Sequence, residues 1–266
     1  VGVVIPRALQ PYVASLSTYD IDMGAPGVHR GLPGTTLTFV LPVGEPLDIG
    51  WRGDDASRGR RWTTLSGLHA GPAEIHHDGK QTGVQLDLTT AGARALLGMP
   101  AAELASTLVE LDDVVPSLRH LPEQLADCAP EARAALVADA LLDRLTDHDE
   151  PRAEVGRALA RLTRGATVQD VADDVGYSRR HLGTLVRREC GMTPQEVRRL
   201  GRFERTRAVL GRVPLAEAAQ RCGYADQAHL TREWVRFAGC SPTTWLREEF
   251  PFLQDLHADG GGESGA

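Results

Sequence analysis

Hydrophobic positions fall in two rhythms along the chain. From residue 1 to about residue 88 they come in short β-prone runs broken by Gly and Pro: Thr36–Val43, Pro46–Trp51, Arg61–His69, Ala73–Gly79 and Thr82–Leu88. Short strands at regular spacing with turn signals predict a small barrel or sandwich. The period then lengthens. Ala91–Met99 and Pro100–Ser106 read as helical, and Pro130 opens a stretch with Leu136, Ala140, Leu141 and Leu145 near helical spacing. From residue 151 on, the rhythm is helical and is repeated.

The repeat has two copies, Thr167–Pro194 and Pro214–Pro242. Val168, Val171, Ala172 and Val175 in the first copy stand at the same offsets as Leu215, Ala218, Ala219 and Cys222 in the second. Gly176 and Gly223 end each first helix, where a left-handed residue is needed. A polar, basic helix follows, Ser178–Glu189 and then Asp226–Ala238. Leu182, Leu185 and Val186 form the inward face of one, and Leu230, Trp234 and Phe237 that of the other. Helix, tight turn and second helix are the helix-turn-helix pattern, whose second helix enters a DNA major groove.

The residues left outward are Arg179, Arg180, Thr184 and Arg187 in the first copy, and Gln227, His229, Thr231, Arg232 and Arg236 in the second. They are the candidate DNA contacts: Arg pairs with guanine and Gln with adenine. A solvated helix face is the plain alternative, and the duplication argues against it. Gly183 weakens the first reader as a helix, so the second copy is expected to carry more of the base readout. A run from Pro194 to Arg212 links the copies as one helix of about 25 Å.

Charge follows the same division. The whole chain is −7, but residues 1–150 carry 11 basic and 21 acidic side chains, whereas residues 151–250 carry 18 basic and 12 acidic. A cationic second half on an anionic first half fits a DNA-binding module joined to a separate domain. Only one of the 29 basic residues, Lys80, is lysine, so phosphate contacts would fall to arginine. Cys128, Cys190, Cys222 and Cys240 form no C-x-x-C pair and read as buried reduced thiols. His76 and His77 are adjacent, so on a strand they point to opposite faces; with His29 and His69 they make no metal set. Trp51 and Trp62 line an effector pocket or fill a core; the sequence leaves both open. No apolar run approaches the roughly 18 residues of a membrane span, and the start shows no secretion signal, so a cytoplasmic protein with no membrane association is expected.

The segments Val168–Ser178, Gly191–Pro194, Arg202–Leu210, Ala216–Gln227, Leu230–Arg232 and Gly239–Pro242 together resemble the tandem helix-turn-helix domain of the AraC/XylS family of bacterial transcription regulators. His29–Pro33, Asp78–Leu86 and Ala93–Leu104 more weakly resemble the effector-binding or dimerisation domains of one branch. Where family members often carry Arg in the first recognition helix, this chain has Thr184. The resemblance implies an α+β chain: a cupin-like β-barrel with a helical segment over 1–148, an all-α DNA-binding domain over 149–250 and a flexible tail over 251–266. It implies double-stranded DNA, a small-molecule effector, RNA polymerase and a second copy as partners, with no catalytic residues, metal or cofactor. Two other readings stay open: a constitutive DNA-binding dimer whose barrel is filled by its own side chains, and a barrel enzyme with an appended DNA-binding domain.

Overall fold

A computed structural model describes residues 3–145 and 152–248. The expected domain boundary and the tail over 251–266 lie outside them. Nine strands come first. They form two antiparallel sheets. In the first, β1 (Val13–Asp22), β8 (Lys80–Leu88), β3 (Leu37–Pro42), β6 (Thr64–Ser66) and β9 (Leu108–Val109) lie side by side in that order. In the second the order is β2 (Gly27–Gly31), β7 (Ala73–His77), β4 (Leu47–Trp51) and β5 (Gly59–Arg61).

Register makes the first sheet's core. Leu16 pairs with Leu86, Leu86 with Phe39, Phe39 with Leu65 and Leu65 with Val109, so one apolar row crosses all five strands. The first four of these side chains are at most 3% exposed, each stabilising by about 1.5–3 kcal/mol. The second sheet has a smaller apolar patch, Leu47, Ile49 and Ala73, which meets Val40 of β3 and Leu108 of β9.

The cupin-like barrel is not formed. Both sheets are open: β1 and β9 are free edges of one, β2 and β5 of the other, and no strand is shared between them. Closure needs edge strands long enough to pair around a circle. Here the edge strands β9 and β5 span only two and three residues. Alternating hydrophobicity marks a strand with one buried face, and that pattern is the same in an open sheet and a closed one.

The helical segment begins with α1 (Thr90–Gly92), where the Thr89 hydroxyl accepts from Gly92 N at 3.0 Å, and continues through Ala93–Leu97. A single 3₁₀ turn, Ala101–Leu104, stands where a helix was expected over Pro100–Ser106. Then come α2 (Leu111–Val114), α3 (Leu121–Asp127) and α4 (Arg133–Leu142). The inward stripe of α4 is Ala134, Val137, Ala138 and Leu141. Of the expected stripe only Leu141 is fully buried; Leu136, Ala140 and Leu145 sit at its margin.

Seven helices follow: α5 (Ala153–Thr163), α6 (Val168–Asp174), α7 (Arg179–Cys190), α8 (Pro194–Val209), α9 (Leu215–Arg221), α10 (Gln227–Ala238) and α11 (Pro242–Glu248). Caps set their ends. Thr167, Ser178 and Asp226 accept from Asp170 N, His181 N and His229 N. The complete capping box is at Thr193 and Glu196, at the start of α8; at Thr167 only the hydroxyl half is present. Gly191 and Gly239 close α7 and α10 with φ of +75° and +71°. The long α8 runs through the middle. Its Gly201 passes so near the end of α5 that a Cβ there would lie 2.4 Å from the Thr163 carbonyl oxygen. Phe203 on α8 meets Trp234 and Phe237 of α10, with ring centroids 4.7 and 5.1 Å apart, and Trp234 meets Trp245 of α11 at 5.3 Å.

Among the described residues no helix is long and apolar enough to cross a membrane. Cys190 and Cys222 are buried, and burial pushes the Cys190 thiol up to about 11. Cys128 and Cys240 are only half-buried, a departure from the uniform burial expected.

Candidate nucleic-acid interface

The two copies fold as helix pairs, α6 with α7 and α9 with α10. Val171, Ala172, Ala218 and Ala219 are at most 1% exposed, so small residues let each pair pack closely. The turns differ by one residue: four residues separate α6 from α7, and five separate α9 from α10. The recognition helices are each 12 residues long. Position for position, Arg179 matches Gln227, and Gly191 matches Gly239.

Helical geometry places Leu182, Val186, Glu189 and Cys190 on the buried side of α7, and Leu230, Glu233, Trp234, Phe237 and Ala238 on that of α10. The opposite row is Arg180, Thr184 and Arg187 on α7, and Ala228, Arg232 and Val235 on α10, all exposed. Arg179, Gln227 and Arg236 are exposed beside these rows. Thr231 and His229 are half-buried. His229 turns toward its own turn: its Nδ1 accepts from Ala225 N at 3.4 Å and its ring meets Tyr224 edge-on at 5.2 Å. The matching His181 meets Tyr177 in the same way at 4.8 Å but is exposed. Arg188, the counterpart of Arg236, is exposed as well. Neither His181 nor Arg188 was among the expected contacts, though the repeat alignment points to both.

Charge pairing separates two sets of arginines. Arg199 and Arg202 of α8 bind the buried Glu233 at 3.0 and 2.7 Å, and Arg202 also lies over the Tyr224 ring. Arg157 and Arg161 of α5 bind Asp174, and Arg221 binds Glu217. Among the described residues, Arg179, Arg180, Arg187, Arg188, Arg232 and Arg236 make no salt bridge. Arg187 and Arg236 both act on Glu196, whose carboxyl is held below its ordinary range, first by its bond from Thr193 N and then by these and other effects.

Polar contacts join the strand-rich part to this domain. Arg94 grips Glu189 of α7. Thr35 donates from N and Oγ1 to the Glu204 carboxylate of α8, at 2.8 and 2.7 Å. Arg52 donates to the Gly239 carbonyl, and Arg30 pairs with Glu248 at 3.0 Å. Sequence reasoning passed over Glu189 and Glu233. Their spacing from Leu182 and Leu230, at i+7 and i+3, already put both on the inward face.

A cleft of about 410 Å³ opens in the strand-rich part, lined among others by Tyr19, Leu47, Arg60, His76, His77 and Lys80. Neither Trp51 nor Trp62 lines it. Trp51 packs on His69 at 4.4 Å, and Trp62 is 49% exposed. Among the described residues no group of three or more His, Cys, Asp or Glu could hold a metal ion.

Residues 171–248 match the family model described as a helix-turn-helix domain. A search of curated proteins finds no match. Among solved structures the chain is similar to ToxT from Vibrio cholerae: 10% identity over 87% of this chain and 98% of that one, with a TM-score of 0.51. A form of ToxT bound to an unsaturated fatty acid shares 12% identity over 94% and 97%, with a TM-score of 0.50. The C-terminal domain of AraT, a response regulator from Geobacillus stearothermophilus, shares 23% identity over 37% of this chain and 88% of that one, with a TM-score of 0.35. The chain thus carries a helix-turn-helix domain within a two-part fold that ToxT shares at low identity.

Proposed function

We propose that the chain is a sequence-specific DNA-binding transcription regulator of the AraC/XylS type, reading two adjacent major-groove segments of double-stranded DNA through α7 and α10. The observation that carries this reading is the charge sorting above. Arg199 and Arg202, on the inner side of α8, are neutralised by Glu233, whereas among the described residues the arginines on the outward sides of both second helices make no salt bridge. Unneutralised arginine forks on a groove-sized helix suit phosphate and guanine. The candidate contacts are Arg179, Arg180, Thr184, Arg187, Gln227, Thr231, Arg232 and Arg236. His229 is assigned to supporting the turn.

The strand-rich part is proposed to take a small-molecule effector. The cleft is of ligand size, which favours this over a constitutive dimer, and the ToxT relative was solved with a fatty acid. RNA polymerase and a second copy of the chain are proposed as partners from the resemblance alone. The test is selection of bound fragments from a random DNA pool by the full chain, with and without cell extract. Enrichment of one sequence supports the reading, and a shift in affinity with extract supports the effector. No enrichment in either arm overturns it.

A further inference from the structure

The outward rows of the two recognition helices are chemical inverses. At matching positions α7 presents Arg180, Thr184 and Arg187, and α10 presents Ala228, Arg232 and Val235. One row has two long cations around a small polar residue; the other has one long cation between two apolar groups. Val235 is 42% exposed and is one of four large hydrophobic side chains exposed among the described residues; the other three, Val4, Val28 and Trp62, lie in the strand-rich part. An exposed valine is unremarkable by itself. This one stands on the face opposite Leu230, Trp234 and Phe237, one turn beyond Arg232, where the first copy has arginine.

We propose that Val235 is a specificity-determining residue of α10 that packs against the C5 methyl of a thymine, with Ala228 supplying a second, smaller apolar contact at the other end of the row. This rests on the proposed reading of α10 as a major-groove helix. In that groove thymine is the base that offers a methyl group, and apolar side chains are what recognise it. Ala228 and Val235 are seven residues apart, about 10 Å along the helix, so the row spans about three base-pair steps at about 3.4 Å each, with Arg232 between them. The α10 half-site is then a guanine with thymine beside it. The α7 half-site, facing Arg180 and Arg187, carries no such requirement.

The experiment uses the full chain and the sequence it selects from a random pool. Each thymine in turn is replaced by deoxyuridine, which removes the methyl and leaves base pairing intact, and affinity is measured for the wild type, Val235→Ala and Val235→Arg. At one or two thymines the wild type should lose about fourfold, the equivalent of one buried methyl at about 0.8 kcal/mol. Val235→Ala should lose much less at that thymine and Val235→Arg nothing, and selection from the random pool by either variant should no longer require thymine there. The inference is overturned by a wild type indifferent to every deoxyuridine, or by variants that retain the wild type's penalty at every thymine; the reading of the chain as a DNA binder survives both outcomes. Failure to select any sequence overturns that reading and this inference together.

Discussion

The Arg94 guanidinium holds the Glu189 carboxylate by two prongs, Nε to Oε1 at 2.9 Å and Nη2 to Oε2 at 2.8 Å, and so ties the strand-rich part to the first recognition helix. The carboxylate is 6% exposed and the guanidinium 24%. Removing Arg94 strands a buried charge. Arg94→Ala should therefore cost about 3 kcal/mol in urea unfolding. Pairing Arg94→Met with Glu189→Leu should recover most of that, because no charge is then left without a partner. A full cost in the double variant would mean that packing at this contact, not charge, supplies the stability.

Arg232 is the one long cation in the outward row of α10. Arg232→Ala should cost about 1–3 kcal/mol of DNA affinity and relax selection at one base pair. Arg180→Ala and Arg187→Ala test the first reader. As phosphate contacts they should weaken all sequences alike and each lower the slope of log affinity against log salt by about 1. Binding titrations at several salt concentrations separate the two outcomes.

Gly183 lies inside α7, and apart from its chain neighbours and the backbone of its own helix nothing lies within 4 Å of where a Cβ would sit. Its φ is not among the left-handed values that penalise a side chain. Gly183→Ala should therefore stabilise the protein by up to about 1 kcal/mol. A fall in the urea midpoint would show that the backbone there is more confined than its surroundings indicate.

Two buried histidines oppose the fold in mild acid. His29 is lowered to about 4 by burial and then by the neighbouring His77 charge, and His69 is lowered to about 4 by burial, against a bond to the Gly71 carbonyl that raises it. In the unfolded chain both titrate near 6.5. Between these values the unfolded state binds more protons than the folded one, so stability falls as the solution is acidified. The loss should begin below about pH 6.5 and level off, for these groups, near pH 4. The variant His29→Gln should flatten part of that slope in urea unfolding measured across this range. An unchanged slope would mean that His29 titrates alike in the folded and unfolded states.

The periodicity of residues 167–242 was enough to place the helix pairs, the glycines that end their first helices and most of their buried rows, because a helix end and a helix face are local properties. Gly176 and Gly223 each act through torsions of their own backbone. The same alternation in Thr36–Val43 placed β3 but was silent on its neighbours. Whether β9 meets β1 depends on strand lengths and on which segments reach one another, and the pattern that predicted a barrel serves two open sheets equally well. The sequence by itself thus determined the tandem helix-turn-helix and the polarity of its second helices. Only the tertiary structure decided which arginines are neutralised. Arg199 and Arg202 are indistinguishable in composition from Arg180 and Arg187, and it is the approach of Glu233 across about 30 residues of chain that occupies the first pair, whereas among the described residues no salt bridge occupies the second.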